Sequence, residues 1–186
     1  GGEPSSVVIH PDGVTAFVAN RADATVVKLS GIDTGDPVVS EPIAVGSEPT
    51  GVALSPTGAR LFVAEWAEGR VSVIDTATME VTDVIDSPEH PRAVAVTNDG
   101  DLDDDDETLV VPEFFGEPQP GGEASDDGRR GRVRRYALAD LAPQAPIELS
   151  PRDSGFGDPT VTTSPNQLYA VAVAGDKIFL PSVSAS

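Results

Sequence analysis

The chain has 186 residues, no cysteine, and 31 acidic against 12 basic side chains, which leaves a formal charge of −19 and a pI near 4.1. So anionic a surface disfavours nucleic acid and acidic membranes as partners. Without cysteine, these residues hold no disulfide, zinc–thiolate site or Cys-x-x-Cys-His haem attachment, and no apolar run reaches the roughly 18 residues of a membrane span.

The first predicted element is a short strand over Val7 to Ile9, closed by Pro11-Asp12-Gly13, residues that favour tight turns. Strands over Thr15 to Ala19 and Thr25 to Leu29 follow, with a weaker fourth near Val38 to Val45. The order then returns as Val52 to Leu54, the turn Pro56-Thr57-Gly58, Arg60 to Ala64, Arg70 to Ile74 and Glu80 to Ile85. A third round gives Val94 to Val96, Asn98-Asp99-Gly100, Thr108 to Val111, Arg132 to Tyr136 and Ile147 to Leu149. Lys177-Ile178-Phe179-Leu180-Pro181 reads as the second strand of a fourth round.

Residue by residue, Glu3, Pro4, Val7, Pro11, Gly13, Phe17, Val18, Ala19 and Val26 reappear as Glu48, Pro49, Val52, Pro56, Gly58, Phe62, Val63, Ala64 and Val71. A repeat of four short strands in roughly 40 to 45 residues is the size of a β-propeller blade, a small antiparallel sheet stacked face to face on its neighbours. The predicted fold class is therefore all-β, in one partial propeller domain over 1–186. Its blades run over about 2–46, 47–87 and 88–150, the last with insertions at 101–107 and 112–131, and a partial fourth covers about 160–186. Both faces of a stacked blade are buried, which explains inner strands such as Val-Ala-Leu and Val-Ala-Val that lack polar alternation. Three and a half blades form an arc, and the expectation is that further blades come from a longer chain or from another chain.

Phe17-Val18-Ala19-Asn20 with Thr25-Val26-Val27, and Phe62-Val63-Ala64-Glu65 with Val71-Ser72-Val73-Ile74-Asp75-Thr76, resemble the YVTN repeat family of β-propellers. Phe and Ala stand here for the Tyr and Thr of the family name, and the resemblance covers residues 2 to about 112 well and the remainder partly. It implies about seven blades and a bacterial or archaeal protein that is secreted, periplasmic or on the cell surface. It implies little about activity, because such propellers serve as surface binding proteins, as lactonase-like enzymes and as companions of redox domains.

The first insertion lies in Asn98 to Glu107, with seven carboxylates in ten residues. Asp99, Asp101 and Asp103 have the alternate spacing that opens Ca²⁺ loops, and Asp105 and Glu107 extend it. Asp104 and Val110 stand where an EF-hand requires Gly and Glu, so a Ca²⁺ site and a solvated acidic hairpin both remain open readings.

The second insertion, Pro112 to Gly131, carries Phe114 and Phe115 and has the composition of a loop. Successive turns of an antiparallel blade alternate between the two ends of the sheet, so this insertion shares an end with Arg21, Trp66, His90 and Arg92. In the resembling family the positions around the leading proline of each blade border the central channel. The six residues are accordingly candidates for a ligand-binding face, with plain packing as the competing reading of the aromatics. No catalytic residue is assigned.

Three functions follow as expectations. The leading one is a non-catalytic scaffold that binds a protein or a glycan. The others are a lactonase-like hydrolase, for which Glu3, Glu48, His90 and Arg92 would be the candidates, and a propeller accompanying a haem or other redox domain.

Overall fold

The computed structural model describes residues 2–87, 90–120, 122, 128–153 and 162–183. Among these there is no helix. Three four-stranded antiparallel sheets follow one another in chain order. The first joins Pro4–Ile9, Thr15–Asn20 and Thr25–Ser30, with an outer edge split into Val38–Val39 and Ile43–Ala44. The second is Pro49–Leu54, Arg60–Glu65, Arg70–Asp75 and Glu80–Asp86, and the third Ala95–Val96, Thr108–Pro112, Arg132–Ala137 and Pro143–Glu148. A fourth unit consists of Ala172–Ala174 paired with Lys177–Phe179, flanked by the pairs Asn166–Leu168 with Ser182–Val183 and Arg152–Asp153 with Thr162–Thr163.

Most boundaries fall within a residue or two of where the repeat puts them, and four strands differ more. The first two inner strands begin three residues early, at Pro4 and Pro49, because a bulge between Pro4 and Ser6, and between Pro49 and Gly51, carries the pairing back to the leading proline. The fourth strand of the first sheet is interrupted where Pro42, lacking an N–H, stands between its halves. The fourth strand of the third sheet begins at Pro143, earlier than Ile147, because Arg135 and Tyr136 pair with Gln144 and Pro143.

Stacking follows from strand alternation. Phe17, Ala19 and Val26 of the first sheet pack against Leu61, Val63 and Ile74 of the second. The intervening residues of that second sheet, Phe62, Ala64, Val71 and Val73, pack against Val94, Leu109, Val111 and Tyr136 of the third. Val110 and Val133 then meet Leu168, Val173 and Ile178 of the fourth unit. Each sheet thus has a forward face led by the Phe17 position and a backward face led by the Leu61 position.

The inner strands of consecutive units are neighbours along one concave edge. A hydroxyl clasps each to the next: Ser5 Oγ donates to Pro49 O at 2.6 Å, and Thr50 Oγ1 donates to Pro91 O at 3.3 Å. The result is an arc of propeller-like sheets, and among the described residues no closed ring is formed.

Candidate functional site

At the end of the sheets where the second strands turn into the third, five of the six candidate residues converge. Trp66, in the turn after Arg60–Glu65, has the Phe114 ring edge-on at 4.8 Å and the Phe115 ring at 5.9 Å. The two phenyl rings meet edge to face at 4.9 Å. His90 closes the group, with its ring 5.1 Å from Trp66 and 5.6 Å from Phe115. Its Nδ1 is 2.7 Å from Trp66 O. His90 has a φ of 56°, and the equivalent Glu48 has 55°, so this left-handed turn belongs to the repeat and not to the histidine.

Arg92 lies over this group, its guanidinium 5.5 Å from both the Trp66 and the Phe114 ring centres. Arg129 caps Phe115 at 5.8 Å. Such cation–π contacts hold a long side chain in place without neutralising it. Arg92 also occupies the position where Ser5 and Thr50 form the hydroxyl clasps, so the third unit replaces a structural hydroxyl by a cation. That cation reaches a hollow of about 290 Å³ on the concave edge, lined with Glu3, Pro4, Ser5, Arg21, Thr50 and Arg92.

Arg21 stands apart from the aromatic group. It pairs with Glu48 at 3.2 Å and lines the same hollow and an adjoining one of about 380 Å³ with Ala22, Ala24 and Ser47. Arg92 has no carboxylate within ion-pair distance among the described residues, and it shares the lining of this hollow with Glu3.

Two buried carboxylates behind the aromatic group were missed by sequence reasoning. Glu65 is fully buried; it accepts from Ser72 Oγ at 2.5 Å and Gly46 N at 2.7 Å, and pairs with Arg70 Nε at 2.5 Å. A Cβ at Gly46 would collide with that carboxylate, so the close approach requires glycine. Glu113 repeats the arrangement with Arg134 Nε at 2.6 Å, where the first unit has Asn20 donating to Thr25. In the sequence an acid closes or follows each of two apolar strands and the partner strand carries an arginine, Arg70 at its first position and Arg134 at its third, but the donors that bury these acids leave no local mark.

The acidic insertion sits at the opposite end of the sheets, against the turn of the second unit. Asp104 accepts from Thr57 N at 3.0 Å and from Thr57 Oγ1 at 2.7 Å. Asp99, Asp101 and Asp106 bring carboxylate oxygens within 4.8 Å of one another. Burial and then the neighbouring Asp99, Asp101 and Asp103 push the Asp106 carboxyl above its ordinary value.

Asp103 and Asp105 do not join this cluster; Asp103 Oδ1 accepts from Asp105 N at 2.9 Å in one step of a ladder of Asx turns. Glu107 stands apart from the three clustered carboxylates. It is buried, accepts from the Thr97 hydroxyl and from Asp99 N, and so pins the hairpin base.

No family model matches the chain, and no curated protein matches it in sequence. Among solved structures it is similar to Kuenenia stuttgartiensis hydrazine synthase, with a TM-score of 0.69 at 19% identity over 94% of this chain. It is also similar to Saccharomyces cerevisiae Sqt1, with a TM-score of 0.64 at 8% identity over 97%. The chain spans 40% and 43% of those two structures. At such identities the likeness establishes a shared fold and nothing about activity.

Proposed function

We propose that the chain is a section of a YVTN-type β-propeller, a secreted, periplasmic or cell-surface scaffold that binds a protein or glycan partner and carries out no chemistry of its own. Arg92 carries the reading. Ser5 and Thr50 differ by a methyl and both keep the hydroxyl clasp, whereas Arg92 gives the clasp up and presents a charge held by Trp66 and Phe114 to the hollow. Local rules broken in this way mark sites selected for something other than stability.

The partner group that fits is a carboxylate, or a cluster of hydroxyls able to accept from a planar guanidinium. Ca²⁺ held by Asp99, Asp101 and Asp106 is the stabiliser of the far end, with water completing the six to eight oxygens that the ion prefers.

The test is an array of acidic and neutral glycans and of peptides, probed with the full chain and with Arg92→Ala and Trp66→Ala. Shared signals that fall at least tenfold in Arg92→Ala, with unchanged thermal unfolding, are the expected result. Signals indifferent to both substitutions would remove the site. Turnover of a lactone panel that vanishes in Arg92→Ala would replace the scaffold by the hydrolase.

A further inference from the structure

The two junctions between the first three sheets are built alike, except in the charge they carry. Glu48 and His90 stand at one repeat position in the same left-handed turn, with φ of 55° and 56°. Each meets, across its junction, the residue just after a second strand: Arg21 in the first case and Trp66 in the second. Glu48 pairs with Arg21 at 3.2 Å, so there a carboxylate cancels a guanidinium. His90 instead lies 5.1 Å from the Trp66 ring and sets its Nδ1 2.7 Å from Trp66 O. A carbonyl oxygen only accepts, so Nδ1 carries the hydrogen and Nε2 is the atom left to gain a proton.

The second junction has thus exchanged a fixed anion for a group that is either neutral or positive. Among the described residues, the acids on the elements packed against His90 are engaged with arginines. On the turn that carries Trp66, Glu65 and Glu68 both pair with Arg70. On the insertion, Glu113 pairs with Arg134 and Glu117 with Arg132. The cations that share its rings are Arg92, over Trp66 and Phe114, and Arg129, over Phe115. Imidazole is the side chain that ordinarily changes charge between about pH 5 and 8. The chain has two, and His10 follows the strand Pro4–Ile9 at the opposite end of the sheets.

We propose that protonation of His90 regulates this mouth, so that acidification places a second positive charge on the Trp66 ring beside Arg92 and strengthens its hold on a carboxylate-bearing partner. The inference rests on the partner-binding reading of Arg92 and adds its regulation. One further unit charge within several ångströms of a bound carboxylate, at a half-exposed site, tightens binding roughly threefold or more. Binding and protonation are linked, so a bound anion must in turn raise the pH at which His90 takes up its proton.

Trp66 is the only tryptophan, so its emission reports this end of the sheets alone, and an imidazolium against the indole quenches it. Emission of the full chain is followed from pH 8 to pH 5, with and without trigalacturonate, a trisaccharide with one carboxylate on each ring. The parent's emission should fall on acidification, and the probe should move that fall to higher pH. Affinity for the probe should rise roughly threefold or more between the two ends of the range. His90→Gln keeps a side-chain N–H for Trp66 O in a turn that Glu48 already adopts. It should abolish the fall and bind the probe equally at both pH values, with circular dichroism verifying the fold. Arg92→Ala should keep the quench and lose the binding. Binding that needs Arg92 but is the same at pH 5 and pH 8 overturns this inference and leaves the scaffold reading standing. An emission profile unchanged by His90→Gln overturns it as well. So does the absence of Arg92-dependent binding at pH 5, and the glycan and peptide array then decides whether the scaffold reading falls with it.

Discussion

At the scale of single residues, the clearest tension is a full carboxylate held without water behind an apolar strand. Glu65 is tolerated because three donors converge on it, and Arg70 remains about a third exposed, so its own desolvation is limited. The partners are therefore unequal. Removing Arg70 strands a buried anion on two neutral donors, whereas replacing Glu65 by Gln leaves an amide oxygen to accept from Ser72 and Gly46 while Arg70 turns to solvent. Arg70→Ala is expected to lose on the order of 2–3 kcal/mol and Glu65→Gln about 1 kcal/mol. Urea unfolding at pH 7 decides between them; equal losses would mean that the ion pair, not the buried anion, sets the cost.

At the scale of elements, the acidic hairpin has two halves with different tasks. Asp104 and Glu107 are turned inward and tie the loop to Thr57 and to Thr97, and only Asp99, Asp101 and Asp106 remain together outside. The raised Asp106 carboxyl fixes the sign of the pH dependence. A group whose folded value lies above its unfolded value favours folding while it is protonated, and that contribution is lost as pH rises through the folded value. Without a divalent cation, Asp106→Asn should therefore unfold at a higher temperature than the parent at pH 7 and at the same temperature near pH 3. Millimolar Ca²⁺ should raise the parent's Tm at pH 7 and leave Asp106→Asn unmoved. A parent unaffected by Ca²⁺ in differential scanning calorimetry would make the loop a solvated hairpin.

What could be read in advance at this scale was set by periodicity. Phe17, Phe62, Leu61 and Val63 declared their strands because the same short apolar runs return at a fixed period between turn residues. Trp66, His90, Arg92, Phe114 and Phe115 could be assigned to one end of the sheets by counting turns, and the structure brings those five side chains together. Arg21 was placed at the right end, but its pairing with Glu48 depends on the spacing between two sheets, which no local pattern encodes. Glu65 and Glu107 were illegible for the same reason: an acid at a strand end reads as solvated until the tertiary donors around it are known.

For the whole molecule, stability is a sum of sheets and of the junctions between neighbours, and it should not be uniform along the arc. Among the described residues the second sheet packs against a neighbouring sheet on both faces, and the first sheet and the fourth unit against one neighbour each. The three equivalent phenylalanines measure this directly, since each projects from the same strand position towards the next unit. Phe17→Ala and Phe62→Ala remove rings that are completely buried, and each should cost about 3–5 kcal/mol. Phe179→Ala removes a ring more than half in solvent, and it should cost under about 1 kcal/mol.

The contrast has a consequence for cooperativity. Losing Phe62 uncouples the first two sheets from the rest, so unfolding followed by hydrogen exchange should split into two steps divided between the second and third sheets. Losing Phe17 should release the first sheet alone. If all three substitutions lowered a single transition equally, the forward faces would not be equivalent and the repeat would describe sequence without describing energy.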